Sequence, residues 1–200
     1  MSVGTIILVT GGSRSGKSAY ALRLAESRPG PWTFVATCPA IDEEMARKIQ
    51  VHQRERDAQT WTTIEEEIDL VGALERARAG AGSDVRFDCG VAGTSGVILV
   101  DCLTLWINNL MYRASLAGRE VTEQEVAGLT DALVRAARNA PGTVIFVTNE
   151  VGLGIVPPDA STRLYRNLVG RCGQTIAAAA SAAVLVVCGM PITLKGELST

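Results

Sequence analysis

Eight residues carry the clearest chemical signal in this chain: Gly11-Gly12-Ser13-Arg14-Ser15-Gly16-Lys17-Ser18, which read G-x-x-x-x-G-K-S. They follow the apolar run Ile6-Ile7-Leu8-Val9 and precede a stretch, Ala19 to Ser27, that reads as a helix. The glycines let backbone N–H groups turn inward around a phosphate, and the helix N-terminus adds its positive dipole end. Lys17 reaches towards β- and γ-phosphates, and the Ser18 hydroxyl is placed to ligate Mg2+. Gly-Gly-Ser alone marks only a turn. The strand before it and the helix after it make this one a P-loop.

A second acid belongs with such a loop. Val97-Ile98-Leu99-Val100 ends in Asp101, and a carboxylate closing a buried strand fits the residue that holds or orients the magnesium. The same aspartate would also cap a helix starting near Leu103, and both readings stand. His52 is the only histidine. On a helix beginning near Ile41, the residues Ile41, Met45, Ile49 and His52 fall in one sector, so the imidazole ends an apolar stripe. It reads equally as a half-buried structural histidine or as a nucleophile whose neutral nitrogen attacks phosphorus. Arg54 and Arg56 would neutralise phosphate charge or simply line a solvated helix face. In the acidic run Glu65-Glu66-Glu67, most carboxylates suit a helix N-terminus, and one could bind a ribose hydroxyl or a guanine edge.

Short apolar runs alternating with amphipathic stretches must position these groups. Strands are predicted at Thr5–Thr10, Thr33–Thr37, Trp61–Ile64, Val97–Cys102, Thr143–Thr148, Ala183–Cys188 and Ile192–Lys195. Helices are predicted at Lys17–Ser27, Asp42–Arg56, Glu66–Ala79, Leu103–Ser115, Thr122–Asn139 and Ser161–Ala182, the fifth opening on a Thr122/Glu125 capping box. The pattern gives an α/β fold: a mostly parallel central sheet flanked by helices, with P-loop NTPase (RecA-like) architecture in a single domain over residues 1–200. The Gly-, Ala- and Ser-rich stretch from Gly80 to Gly96 reads as a surface loop. Asn149 to Ala160 follows a strand's C-terminal end, where ligands bind in open α/β sheets.

Composition narrows the classes. With 200 residues, a net charge of −2 and no run of Lys or Arg, nucleic acid is not expected as the main partner. Five cysteines with no C-x-x-C pair, beside one histidine, support neither a zinc site nor a disulfide framework. The apolar run near Ile176 to Val187 is Ala-rich and interrupted by Ser181, so it reads as a buried helix feeding a strand, not a transmembrane segment. No leader is apparent, and the expectation is a cytoplasmic protein.

Several segments together resemble the bifunctional adenosylcobinamide kinase / adenosylcobinamide-phosphate guanylyltransferases of cobalamin synthesis. They are Leu8 to Ser18; Val35-Ala36-Thr37; Asp42-Glu43-Glu44-Met45 with Arg47, Ile49 and His52; Val100 to Trp106 with Asn109-Leu110; Val147 to Pro157; and Gly170-Arg171 with Gln174. The similarity runs from end to end, and Asn149-Glu150-Val151-Gly152 is particular to that family. A P-loop kinase of another small molecule, with a structural His52, would explain the loop alone. A nucleotide switch is disfavoured because the guanine-reading N-K-x-D tetrapeptide is absent.

The resemblance implies two reactions. The aminopropanol hydroxyl of adenosylcobinamide takes a phosphoryl group from ATP or GTP. A histidine then attacks the α-phosphorus of GTP, and its GMP passes to adenosylcobinamide phosphate. It implies that His52 is the guanylylated residue and Lys17 a catalytic one. Nucleotide contacts fall on Gly11 to Ser18, Ala36, Thr37, Gln53, Arg54, Glu55, Arg56 and Glu65, with Mg2+ on Ser18 and Asp101. It further implies nucleotide and corrinoid substrates and a homo-oligomer, a trimer. The chain departs from the family pattern at Asp57, Asn167 and Gly173, which touches loop geometry and corrinoid contacts but spares Lys17, His52 and Asp101.

Overall fold

The computed structural model describes residues 4–38, 61–79 and 96–198. In chain order these form β1 (Thr5–Gly11), α1 (Lys17–Glu26), β2 (Trp32–Ala36), β3 (Trp61–Glu65), α2 (Leu70–Arg78), β4 (Val97–Asp101), α3 (Leu103–Leu116), α4 (Glu123–Asn139), β5 (Thr143–Val147), α5 (Ala160–Ala179), β6 (Ala182–Val187) and β7 (Met190–Lys195). The predicted helix Asp42–Arg56 lies outside the described residues, as does the predicted loop apart from Gly96.

The strands make one seven-stranded sheet in the order β3-β2-β4-β5-β1-β6-β7. All pairings are parallel except β6 with β7, so β7 returns as an antiparallel edge. Near-continuous apolar runs such as Ile6–Val9 and Val97–Val100 are what a sheet covered on both faces demands. Alternation then divides them. Ile6, Leu8, Val100, Val144 and Phe146 face a core shared with α2 to α5. Ile7, Val9, Val97, Leu99, Ile145, Val147, Val184 and Val186 face α1, through Ala21, Leu24 and Ala25. One strand, β5, separates the P-loop strand β1 from β4, the strand that ends in Asp101. A mostly parallel sheet flanked by helices is the fold class expected from the sequence; the strand order is new.

Two helix boundaries differ from expectation by three residues or more, and the last strand starts two residues early, at Met190. The second described helix starts at Leu70, not Glu66, because Asp69 caps it by accepting from the Gly72 N–H while Glu66 accepts from the N–H groups of Ile68 and Asp69. The last helix ends at Ala179 instead of Ala182, because Ala182 is already paired with Ile7 in the sheet. The Thr122/Glu125 capping box forms as predicted.

Candidate functional site

The phosphate loop leaves β1 at Gly11 and enters α1 at Lys17. Gly16 holds it in a left-handed turn, φ 91°, where a Cβ would also lie 3.1 Å from the Gly189 Cα. A side chain there would be strained twice over. The Gly189 N–H donates to the Ser15 carbonyl at 2.7 Å, tying the β6–β7 turn to the loop. Lys17 is buried, 9% exposed, and its ammonium donates to the Gly12 carbonyl at 3.1 Å. The Ser15 hydroxyl is buried and, among the described residues, has no hydrogen-bond partner.

Sheet register assembles the remaining groups. Val9, Val147, Asp101, Ala36 and Glu65 lie in one transverse row across β1, β5, β4, β2 and β3. Residues in a row share a face, and Val9, Val147 and Ala36 belong to the core beneath α1. Asp101 therefore stands on the side of Lys17 and Ser18. The N-cap of α3 is Cys102, one residue beyond Asp101. The Cys102 thiol feels both charges. Burial and the Asp101 carboxylate push it up to about 11, against an opposing pull from the Lys17 ammonium.

Thr37 is fully buried, and its hydroxyl clasps Cys102, accepting from its N–H at 2.7 Å and donating to its carbonyl at 2.8 Å. Asn109 is a supporting residue that periodicity alone passes over. Its carboxamide donates to the carbonyls of Thr37, at 2.9 Å, and Glu67, at 3.2 Å, pinning the ends of β2 and β3. A polar residue inside the apolar stretch of a helix is the one sequence signal that could have marked it.

Glu65 ends β3, four strand spacings from β1. At ~4.8 Å each this puts it roughly 19 Å from the phosphate-loop strand, beyond direct contact with phosphates held there. His52, Gln53, Arg54, Glu55 and Arg56 lie outside the described residues. They belong to the connection between β2, whose C-terminal end is at the site, and β3.

A cavity of about 510 Å3 opens on the opposite face, between α5 and the strands β1, β6 and β7. Leu8, Thr10, Thr148, Gln174 and Lys195 line it, with the segment Asn149–Gly152 at its rim. It is separated by the sheet from α1, so it is not the phosphate site.

A glycine loop entering a helix, a buried lysine and a strand-end carboxylate on one face of a mostly parallel sheet define a P-loop nucleotide-binding protein. A family profile described as cobinamide kinase / cobinamide phosphate guanyltransferase matches residues 7–194. The chain belongs to this family. It is 37% identical over 190 residues to the bifunctional adenosylcobalamin biosynthesis protein CobP of Pseudomonas aeruginosa, covering 95% of this chain and 97% of that one. It is 36% identical to CobU of Salmonella typhimurium, a protein of the same description, over 95% of this chain and 99% of that one. CobU of Escherichia coli is 32% identical at the same coverage. Among solved structures, a KaiC-like protein from Pyrococcus horikoshii aligns with a TM-score of 0.49 and 16% identity, over 92% of this chain and 71% of that one.

Proposed function

We propose that the chain catalyses two successive transfers in cobalamin biosynthesis. It phosphorylates the aminopropanol hydroxyl of adenosylcobinamide with ATP or GTP. It then moves GMP from GTP to adenosylcobinamide phosphate, releasing pyrophosphate and giving adenosyl-GDP-cobinamide. The observation that carries this reading is the transverse row that sets Asp101, Ala36 and Glu65 on the same face as the phosphate loop, in a chain whose family is defined by both activities.

In the first reaction the loop amides and Lys17 bind and align the triphosphate and offset the charge that shifts as the γ-phosphoryl group moves. The donor set suits magnesium: the Ser18 hydroxyl and the Asp101 carboxylate are hard oxygen ligands on the α1 side of the sheet. Among the described residues no cluster of three or more His, Cys, Asp or Glu forms a metal cage. That agrees with an ion carried largely by phosphates and water. When bound, Mg2+ would withdraw charge from the β- and γ-phosphate oxygens.

In the second reaction His52 attacks the α-phosphorus, pyrophosphate leaves, and the phosphoramidate hands GMP to the acceptor phosphate. An imidazole of ordinary pKa, about 6.5, is mostly neutral near pH 7 and has a lone pair to attack with. Gln53, Arg54, Glu55 and Arg56 hold the nucleotide beside it, with Ala36 and Thr37 at the neighbouring strand end. The distance of Glu65 from β1 suits the nucleoside end of the guanylyl group and not its phosphates.

Leu153, Ile155 and Val156 beside the site, and Met190, Ile192 and Leu194 along β7, expose large apolar side chains. Such surface supports a homo-oligomer, with a trimer following from the family resemblance. Among the described residues no helix is long and apolar enough to cross a membrane.

The test is product analysis. Purified protein incubated with adenosylcobinamide, GTP and Mg2+ yields adenosylcobinamide phosphate first and adenosyl-GDP-cobinamide later. Chelation of the metal stops both. If adenosylcobinamide is left unchanged while another small hydroxyl compound is phosphorylated, the chain is a different P-loop kinase.

A further inference from the structure

The end of β5 presents a side chain that neither reaction above has used. Hydrogen bonding between β1 and β5 continues past the strand itself: the Thr148 N–H donates to the Val9 carbonyl and the Glu150 N–H to the Gly11 carbonyl, each at 3.0 Å. Residues 147–150 are therefore extended and alternate faces. Thr148 lies on the side of Phe146, away from the phosphate loop. By that alternation Asn149, just past the end of β5, falls on the side of Val147, which shares its row with Asp101, and the residue also borders the end of the 510 Å3 cavity. It stands between the root of the loop at Gly11 and the end of β4.

The Asn149 carboxamide oxygen is buried and, among the described residues, has no hydrogen-bond donor. Buried acceptors are rarely left so. Among the described residues the Lys17 ammonium donates to the Gly12 carbonyl and the Gly152 N–H to the Glu150 carboxylate at 2.6 Å, and neither donates to this oxygen. The donor that suits this oxygen is one that arrives with substrate, at the place where a terminal phosphate and an incoming hydroxyl meet.

We propose that Asn149 is a further catalytic residue of the phosphoryl-transfer step, its Oδ1 accepting a hydrogen bond from the acceptor substrate's hydroxyl. This rests on the kinase reading above. The hydroxyl oxygen forms its bond to the γ-phosphorus as the bond from that phosphorus to the β–γ bridging oxygen breaks. The nucleoside diphosphate leaves with the electron pair, and the hydroxyl proton passes to an oxygen of the transferred phosphoryl group. The amide takes no proton; it fixes the direction of the lone pair.

The experiment compares wild type, Asn149→Ala and Asn149→Asp in three readouts: affinity for a fluorescent GTP analogue, labelling of the protein by GTP carrying radioactive α-phosphorus, and phosphorylation of adenosylcobinamide. For Asn149→Ala the expectation is a fall in phosphoryl-transfer kcat on the order of 100-fold, with affinity and labelling within about threefold of wild type. Asn149→Asp keeps an acceptor oxygen in place and recovers kcat to within about tenfold. A parallel loss of affinity, labelling and kcat in Asn149→Ala would mark a structural role and overturn the proposal. So would an unchanged kcat, or an aspartate variant as poor as the alanine one. A wild-type protein that phosphorylates no adenosylcobinamide overturns the kinase reading as well, which separates the two failures.

Discussion

Lys17 is a cation held inside the protein, and a buried ammonium is costly unless something stabilises it. The Gly12 carbonyl does part of this, and a bound triphosphate would do more. Both proposed reactions begin with that triphosphate in the same loop. Lys17→Ala should therefore slow phosphoryl transfer and guanylyl transfer alike, on the order of 100- to 1000-fold each, measured as separate initial rates. Phosphoryl transfer at the wild-type rate would contradict a shared cradle. Lys17, Ser18 and Asp101 could be singled out in the sequence because the motif around each is complete within a few residues. Asn109 and the Thr37–Cys102 clasp could not, since each joins segments more than sixty residues apart. No local pattern encodes such a contact.

Among the elements, β3 and α2 show where local signals compete. The acidic run at Glu65 to Glu67 suggests a helix start, yet Glu66 builds the turn before the helix instead. Burial works against its charge, but the N–H groups of Ile68 and Asp69 and the Arg76 guanidinium, 2.7 Å away, hold its carboxyl below the ordinary value of 4.5. A depressed carboxyl stabilises the fold above its unfolded pKa, and that contribution fades as pH falls through the lower folded value. With solvent screening of this partly exposed pair, Glu66→Gln should thus cost about 0.5–1 kcal/mol at pH 7 in urea unfolding. The gap to wild type should shrink steadily below pH 4.5. A gap independent of pH would mean that packing, not charge, is lost. The end of α5 departs from its local sequence for a different reason. Its alanines favour helix, but pairing of Ala182 with Ile7 overrides that weak preference.

Across the whole molecule, strand order does what no single motif can. The apolar runs told which segments become strands, and the P-loop told where one of them leads. Only the sheet shows that β5 separates β1 from β4, that Glu65 ends the same row as Asp101, and that the 510 Å3 cavity opens on the other face. These are long-range pairings, invisible to a reading that moves along the chain. The sheet also ends β2 at the site, so the connection carrying His52 begins at the edge where the nucleotide is proposed to bind. The account therefore turns on a covalent bond between that histidine and GMP. Incubation with GTP labelled at the α-phosphorus, followed by denaturing electrophoresis, tests it directly. The prediction is a protein-bound label that survives base, is released by acid and is missing from His52→Ala. Wild-type protein that remains unlabelled, or a His52→Ala variant labelled as strongly, would contradict the account.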